Sequence, residues 1–146
     1  MKKEDTFDFQ IKTCWHSISR MYNQKAILEG ITTSMGFVLI NINSKEGTPA
    51  TKIAPMMGLE SRSLTRILKS MERKGLIFKK SDEIDKRSVR VFLTENGKEK
   101  KTKSVQTINA FNERVKSELN KTELECFFSS FKKINRIINQ LQEGLN

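Results

Sequence analysis

Arg62 and Arg66 stand one helical turn apart in a run of small hydroxyl residues, Ser61, Ser63 and Thr65. Further along, Asp85, Lys86 and Arg87 crowd the charged stretch "SDEIDKR". A guanidinium is a planar fork of donors that meets a guanine edge or a phosphate with two parallel hydrogen bonds. Short hydroxyl residues between such forks let a backbone approach a polyanion closely. This is the chemistry of recognition. The groups that turnover would need are scattered: there is no phosphate-cradling glycine loop and no nucleophile–His–acid set. His16 is the single histidine, two residues from Cys14 and so about 200° away around a helix, too far to share a metal. It reads as a surface or interface residue. Cys14 and Cys126 lie far apart without metal-ligand spacing. The expectation is a protein that is not an enzyme and needs no metal or cofactor.

The charge balance points the same way. The formal net charge is +10. Between Lys52 and Lys103 lie 15 of the 27 Lys/Arg and 7 of the 17 Asp/Glu, so the middle third alone carries +8. A basic excess concentrated in one stretch is a footprint for a polyanion. No apolar run reaches the length of a membrane span, and the N-terminus "MKKEDTFDFQ" is too polar for a signal peptide. The chain reads as soluble, reduced and cytoplasmic.

Which elements would hold these residues? Residues 61–74 have an apolar face of Leu64, Ile67, Leu68 and Met71, with Arg62, Ser63, Thr65, Arg66, Lys69 and Arg73 opposite. That spacing predicts an amphipathic helix capped at Glu60 or Ser61 and closed at Gly75. Before it, Thr48 and Pro49 read as a cap and first helical position, with Gly58 as the stop and a distortion expected from Thr51 to Pro55. After it, "LIFKK" and "SVRVFL" alternate about the charged tip, which predicts a hairpin with a long loop. Phe78 and Phe92 sit at alternating strand positions and read as buried, so they offer no stacking surface for RNA. A short helix, a tight turn, a helix with basic residues near its start and a hairpin make a winged helix-turn-helix.

Long helices flank this region. Residues 6–29 carry Phe7, Ile11, Cys14, Ile18 and Met21 at a 3.5-residue period, with Trp15 and Tyr22 beside them. Residues 33–43 are apolar nearly all round and should be buried, with Thr32 or Thr33 as cap. Thr94 starts a helix bearing Val105, Ile108, Phe111, Val115 and Leu119. Asn120 with Glu123, or Thr122 with Glu125, caps a final helix. Its seam steps through Leu124, Phe127, Phe131, Ile134, Ile138, Leu141 and Leu145. A domain this small does not cover both seams alone. Phe7, Ile11, Trp15, Ile18, Phe127, Phe131, Ile134, Ile138 and Leu141 are therefore expected at a homodimer interface. The expected organisation is mainly α, an α+β winged helix: residues 32–97 form the DNA-binding region, and 1–31 with 98–146 form the dimerisation region.

The run from Leu59 to Gly97 resembles the MarR family of regulators. The matching pieces are "LESRSLTRILKSMERKGLI", "DKRS" and "VFLTENG". Pro55 departs from the polar residue usual in the first helix of the motif. The resemblance implies a homodimeric, sequence-specific regulator of transcription, read as a repressor, on a pseudo-palindromic duplex DNA operator. It implies that Asp85 steadies an Arg87 that enters the minor groove, and that in some members a small aromatic or phenolic ligand releases the DNA. The expected DNA-binding set is Ser61, Arg62, Ser63, Thr65, Arg66, Lys69, Lys79, Asp85, Lys86, Arg87 and Arg90, with Lys80 adding phosphate attraction. Cys14 is similar in place to the reactive thiol of the family's peroxide-sensing branch, though the tyrosines that accompany it there are missing. A buried or semi-buried structural thiol is the plainer reading. A winged helix that binds protein or RNA is the rival class.

Overall fold

The computed structural model describes residues 1–145. Its elements run α1 (Phe7–Leu28), α2 (Thr33–Asn41), β1 (Thr48–Pro49), α3 (Ala50–Met57), α4 (Ser61–Arg73), β2 (Ile77–Ser81), β3 (Val89–Leu93), α5 (Glu95–Glu118) and α6 (Lys121–Glu143), with a short 3₁₀ turn at Lys3–Asp5 ahead of them. The chain divides into two compact units, Met1–Thr107 and Ile108–Asn146.

The first unit is built around one core. Val38 and Leu39 from α2, Ile42 just past its end, Ile53 from α3, Leu64, Leu68 and Met71 from α4, and Ile77, Val91 and Leu93 from the sheet are buried together. Each such side chain contributes about 1.5–3 kcal/mol by leaving water. Thr32 caps α2, its hydroxyl accepting from the Met35 N–H at 3.2 Å. Gly58 (φ 63°) and Gly75 (φ 68°) take the left-handed conformation that ends α3 and α4. The turn after α3 is thereby tight enough to set α4 against it. The sheet has the order β1-β3-β2, all antiparallel, with Phe78 opposite Phe92 and Lys80 opposite Arg90.

Three expectations change here. Thr48 is not a helix cap. It is buried in β1 opposite Val91, where its hydroxyl accepts from the Asn43 N–H at 2.9 Å. The missing signal is that a two-residue strand has no periodicity to read, so a Thr-Pro pair looks like a helix start. Pro49 therefore precedes α3, and Ala50 opens it. Second, α3 runs without a break through Pro55. Third, Phe78 is not buried: it is 38% exposed, and its ring stacks on Phe92 at 5.4 Å, with Lys80 Nζ above both rings. Strand alternation explains it. Ile77, Val91 and Leu93 take the core face, which turns Phe78 and Phe92 to the other face of the sheet.

In the second unit, α6 opens on a reciprocal capping box. The Asn120 side chain accepts from the Glu123 N–H at 3.0 Å, and the Glu123 carboxylate accepts from the Asn120 N–H at 2.8 Å. The Phe127 ring packs on Phe128 and Phe131. Yet Phe127 is 50% and Leu141 66% exposed.

Candidate nucleic-acid interface

The polar face of α4 is fully outward. Ser61, Arg62, Ser63, Thr65, Arg66 and Lys69 are all exposed, while Leu64 and Leu68 anchor the helix from behind. The Thr65 hydroxyl donates to the Ser61 carbonyl at 2.9 Å, which keeps that side chain close to the helix. Among the described residues the side chains of Arg62, Arg66 and Lys69 have no hydrogen-bond or ion-pair partner. An exposed guanidinium with no internal partner is available to a ligand at little reorganisation cost.

The wing is organised by a residue the sequence reading passed over, Asp82. Its Oδ1 accepts from the Ile84 N–H at 2.9 Å and the Asp85 N–H at 3.2 Å, and its Oδ2 accepts from Arg90 Nε at 3.1 Å. The first of these contacts, then the second, then Arg90 hold the Asp82 carboxyl below its ordinary value. An aspartate that opens a loop after a strand is a turn signal, and that was the available clue. A second carboxylate shapes the tip: Asp85 Oδ1 accepts from the Arg87 backbone N–H at 3.1 Å, and the Asp85 carbonyl accepts from the Ser88 N–H at 3.0 Å. Asp85 therefore steadies the backbone of Arg87. Among the described residues it makes no ion pair with the Arg87 guanidinium, which together with Lys86 is exposed at the tip.

Two expected phosphate contacts are engaged within the fold. Besides Asp82, Arg90 reaches the Glu46 and Gly47 carbonyls with Nη1, at 3.0 and 3.3 Å, and so ties the wing to the loop before β1. Lys79 pairs with Glu72 of α4 at 3.1 Å.

On α1, Phe7 (76% exposed), Ile11 and Trp15 lie on the surface, with Ile18 half-buried. Cys14 is a free, exposed thiol, not the buried or semi-buried one expected, because it stands on the same outward face of α1 as Ile11 and Trp15. Trp15, His16, Arg20, Thr33 and Phe37 line an open cleft of about 460 Å³ between α1 and α2. The Trp15 and Tyr22 rings each lie 6.1 Å from Phe37, centroid to centroid. On α6, Phe127, Ile138 and Leu141 are exposed, and Phe131 and Ile134 half-buried. No helix among the described residues is long and apolar enough to cross a membrane.

Known proteins share this arrangement. The sequence model of the MarR family matches residues 31–89. The organic hydroperoxide resistance transcriptional regulator of Bacillus subtilis (strain 168) is 32% identical over 105 residues, which cover 72% of this chain and 71% of that one. The regulator SarZ of Staphylococcus aureus (strain USA300) is 34% identical over 79 residues, about half of each chain (51% and 53%). Among solved structures, S. aureus MepR in complex with DNA superposes with a TM-score of 0.84 at 21% identity, covering 91% of this chain and 98% of that one. The regulator SlyA superposes at 0.80 and 18%, covering 94% and 96%. At these identities the superpositions establish the fold.

Proposed function

The chain belongs to the MarR family of transcriptional regulators, and we propose that it acts as a homodimer on a two-fold operator, as a repressor. One observation carries the reading: the guanidinium groups of Arg62 and Arg66, unpartnered among the described residues, lie on the exposed face of α4 beside a wing whose tip offers an exposed Arg87. A helix of this kind enters the major groove and reads base edges, while an arginine tip suits the negative potential of a narrow minor groove. Ser61, Ser63, Thr65, Lys69 and Lys86 would add base or phosphate contacts. Asp82, Asp85 and Arg90 would hold the wing in place.

The exposed apolar stripes of α1 and α6 support pairing with a second copy. Reading helices in such a dimer meet successive major grooves about 34 Å apart. A small aromatic ligand would suit the cleft between α1 and α2, with Trp15 and Phe37 supplying apolar walls and Arg20 a cation for an acidic group. Selection of bound sites from random duplexes tests the reading. The expected result is an inverted repeat with half-sites about one turn apart. Recovery of single-stranded or unrelated sequences overturns it. The rival, an RNA-binding winged helix, would have to stack bases on Phe78, one face of which is taken by Phe92.

A second reading within the family has its own support. Cys14 is exposed, and the Bacillus relative is named for organic hydroperoxide resistance. Peroxide would then release the protein from DNA, and Cys14→Ser would stay bound. A wild-type protein that keeps its operator under peroxide ends that reading.

A further inference from the structure

Glu29 caps the C-terminal end of α1, where helix carbonyls concentrate partial negative charge and a carboxylate is disfavoured. Two lysines offset that cost. Glu29 Oε2 accepts from Lys100 Nζ at 3.0 Å and from Lys103 Nζ at 2.9 Å, both in the first turns of α5. Lys103, then Lys100, holds the Glu29 carboxyl below its usual range, and Glu29 in turn raises Lys103. One residue on, the Gly30 carbonyl accepts from Lys74 Nζ at 3.2 Å, and Lys74 is the residue that ends α4. Two consecutive residues at the end of α1 thus gather ammonium groups from the tail of the basic helix and from the root of α5.

We propose that Glu29 is a positioning residue for DNA reading: by fastening α1 to α5 beside the Lys74 contact, it fixes α4 relative to α1, which carries one of the two pairing stripes, and so sets the separation of the two reading helices. The proposal rests on the dimeric operator reading above. Simple electrostatics makes the opposite forecast. Glu29→Gln removes one negative charge from a chain of net charge +10. As a mere surface change it would tighten binding to every duplex alike.

The test uses the full chain and the operator selected by the wild type, together with copies whose half-sites are moved one base pair closer or farther. Glu29→Gln is expected to lose roughly 3- to 30-fold of the preference for correct spacing, while its affinity for random DNA holds or rises. Reversing the pairs, with Glu29→Lys, Lys100→Glu and Lys103→Glu together, is expected to restore that preference. Should Glu29→Gln fail to fold, Lys103→Gln, which leaves Lys100 on the carboxylate, is read by the same spacing ratio. A folded variant that keeps the full spacing preference overturns this proposal alone. A wild type that selects no two-fold site overturns the operator reading and this proposal with it.

Discussion

Arg90 and Asp82 grip each other at the base of the wing, Nε to Oδ2 at 3.1 Å, while the same arginine holds the Glu46 and Gly47 carbonyls. The cation is a brace. Asp82→Asn keeps an acceptor for the tip amides but loses the charge that holds Arg90. The variant is expected to fold, to exchange the Ile84 and Asp85 amide hydrogens faster, and to bind operator more weakly. Hydrogen exchange and an affinity titration check the pair of outcomes.

The tip arginine should behave differently. Arg87→Ala removes a phosphate-proximal cation, so the plot of log K against log salt should flatten by roughly one unit. Arg90→Ala should weaken binding with little change of slope, because its charge is already matched by Asp82. Equal slopes for wild type and Arg87→Ala would remove Arg87 from the interface.

Protonation gives a third outcome. The Asp82 carboxyl titrates lower in the folded chain than in the unfolded one, because the Ile84 and Asp85 amides and Arg90 favour its ionised form. Its contribution is complete at neutral pH. It starts to fade once pH falls below the ordinary carboxylate value, where only the unfolded chain binds the proton, and it is lost as pH passes through the lowered folded value. Wing protection in hydrogen exchange should stay level through neutral pH and drop only in acid.

Gly97 sits where α5 crosses the chain leaving α4. A Cβ built there would lie 2.0 Å from the Leu76 carbonyl oxygen and 3.0 Å from its carbon. Backbone cannot yield as a flexible side chain does. Gly97→Ala should therefore cost several kcal/mol, on the order of 3 or more. Denaturant unfolding measures it.

Pairing is tested on the two apolar stripes. Phe127→Glu with Leu141→Glu should leave the fold intact, since both side chains are already exposed. The variant should sediment as a single chain and lose the operator. An unchanged sedimentation coefficient would place the pairing surface elsewhere.

The basic helix was legible because its pattern is redundant. Leu64, Leu68 and Met71 mark one face and the arginines another, and a glycine stands at its end. The α6 cap was legible to within two residues: the sequence offered Asn120 with Glu123 or Thr122 with Glu125, and the first pair forms it. What escaped were contacts between residues distant in sequence. Glu46 and Gly47 meet Arg90, and Glu29 meets Lys100 and Lys103, with nothing local in the sequence to announce either meeting. Asp82 and Arg90 are nearer neighbours, but each serves the wing only once the strands have paired. Phe78 misled because apolar character does not say which face of a strand it takes; Ile77 beside it took the core.

Thr94 shows what the hairpin's two roots have in common. Its hydroxyl donates to the Gly75 carbonyl at 2.6 Å and accepts from the Gly97 N–H at 3.0 Å, and its own N–H donates to the Leu76 carbonyl at 3.1 Å. The chain therefore leaves and returns through one riveted gate. The strands past that gate stay bolted to the body through β1 and Arg90, so only the tip beyond Asp82 is a stylus, whose point can lengthen, shorten or change its lettering while the body that carries it keeps its shape.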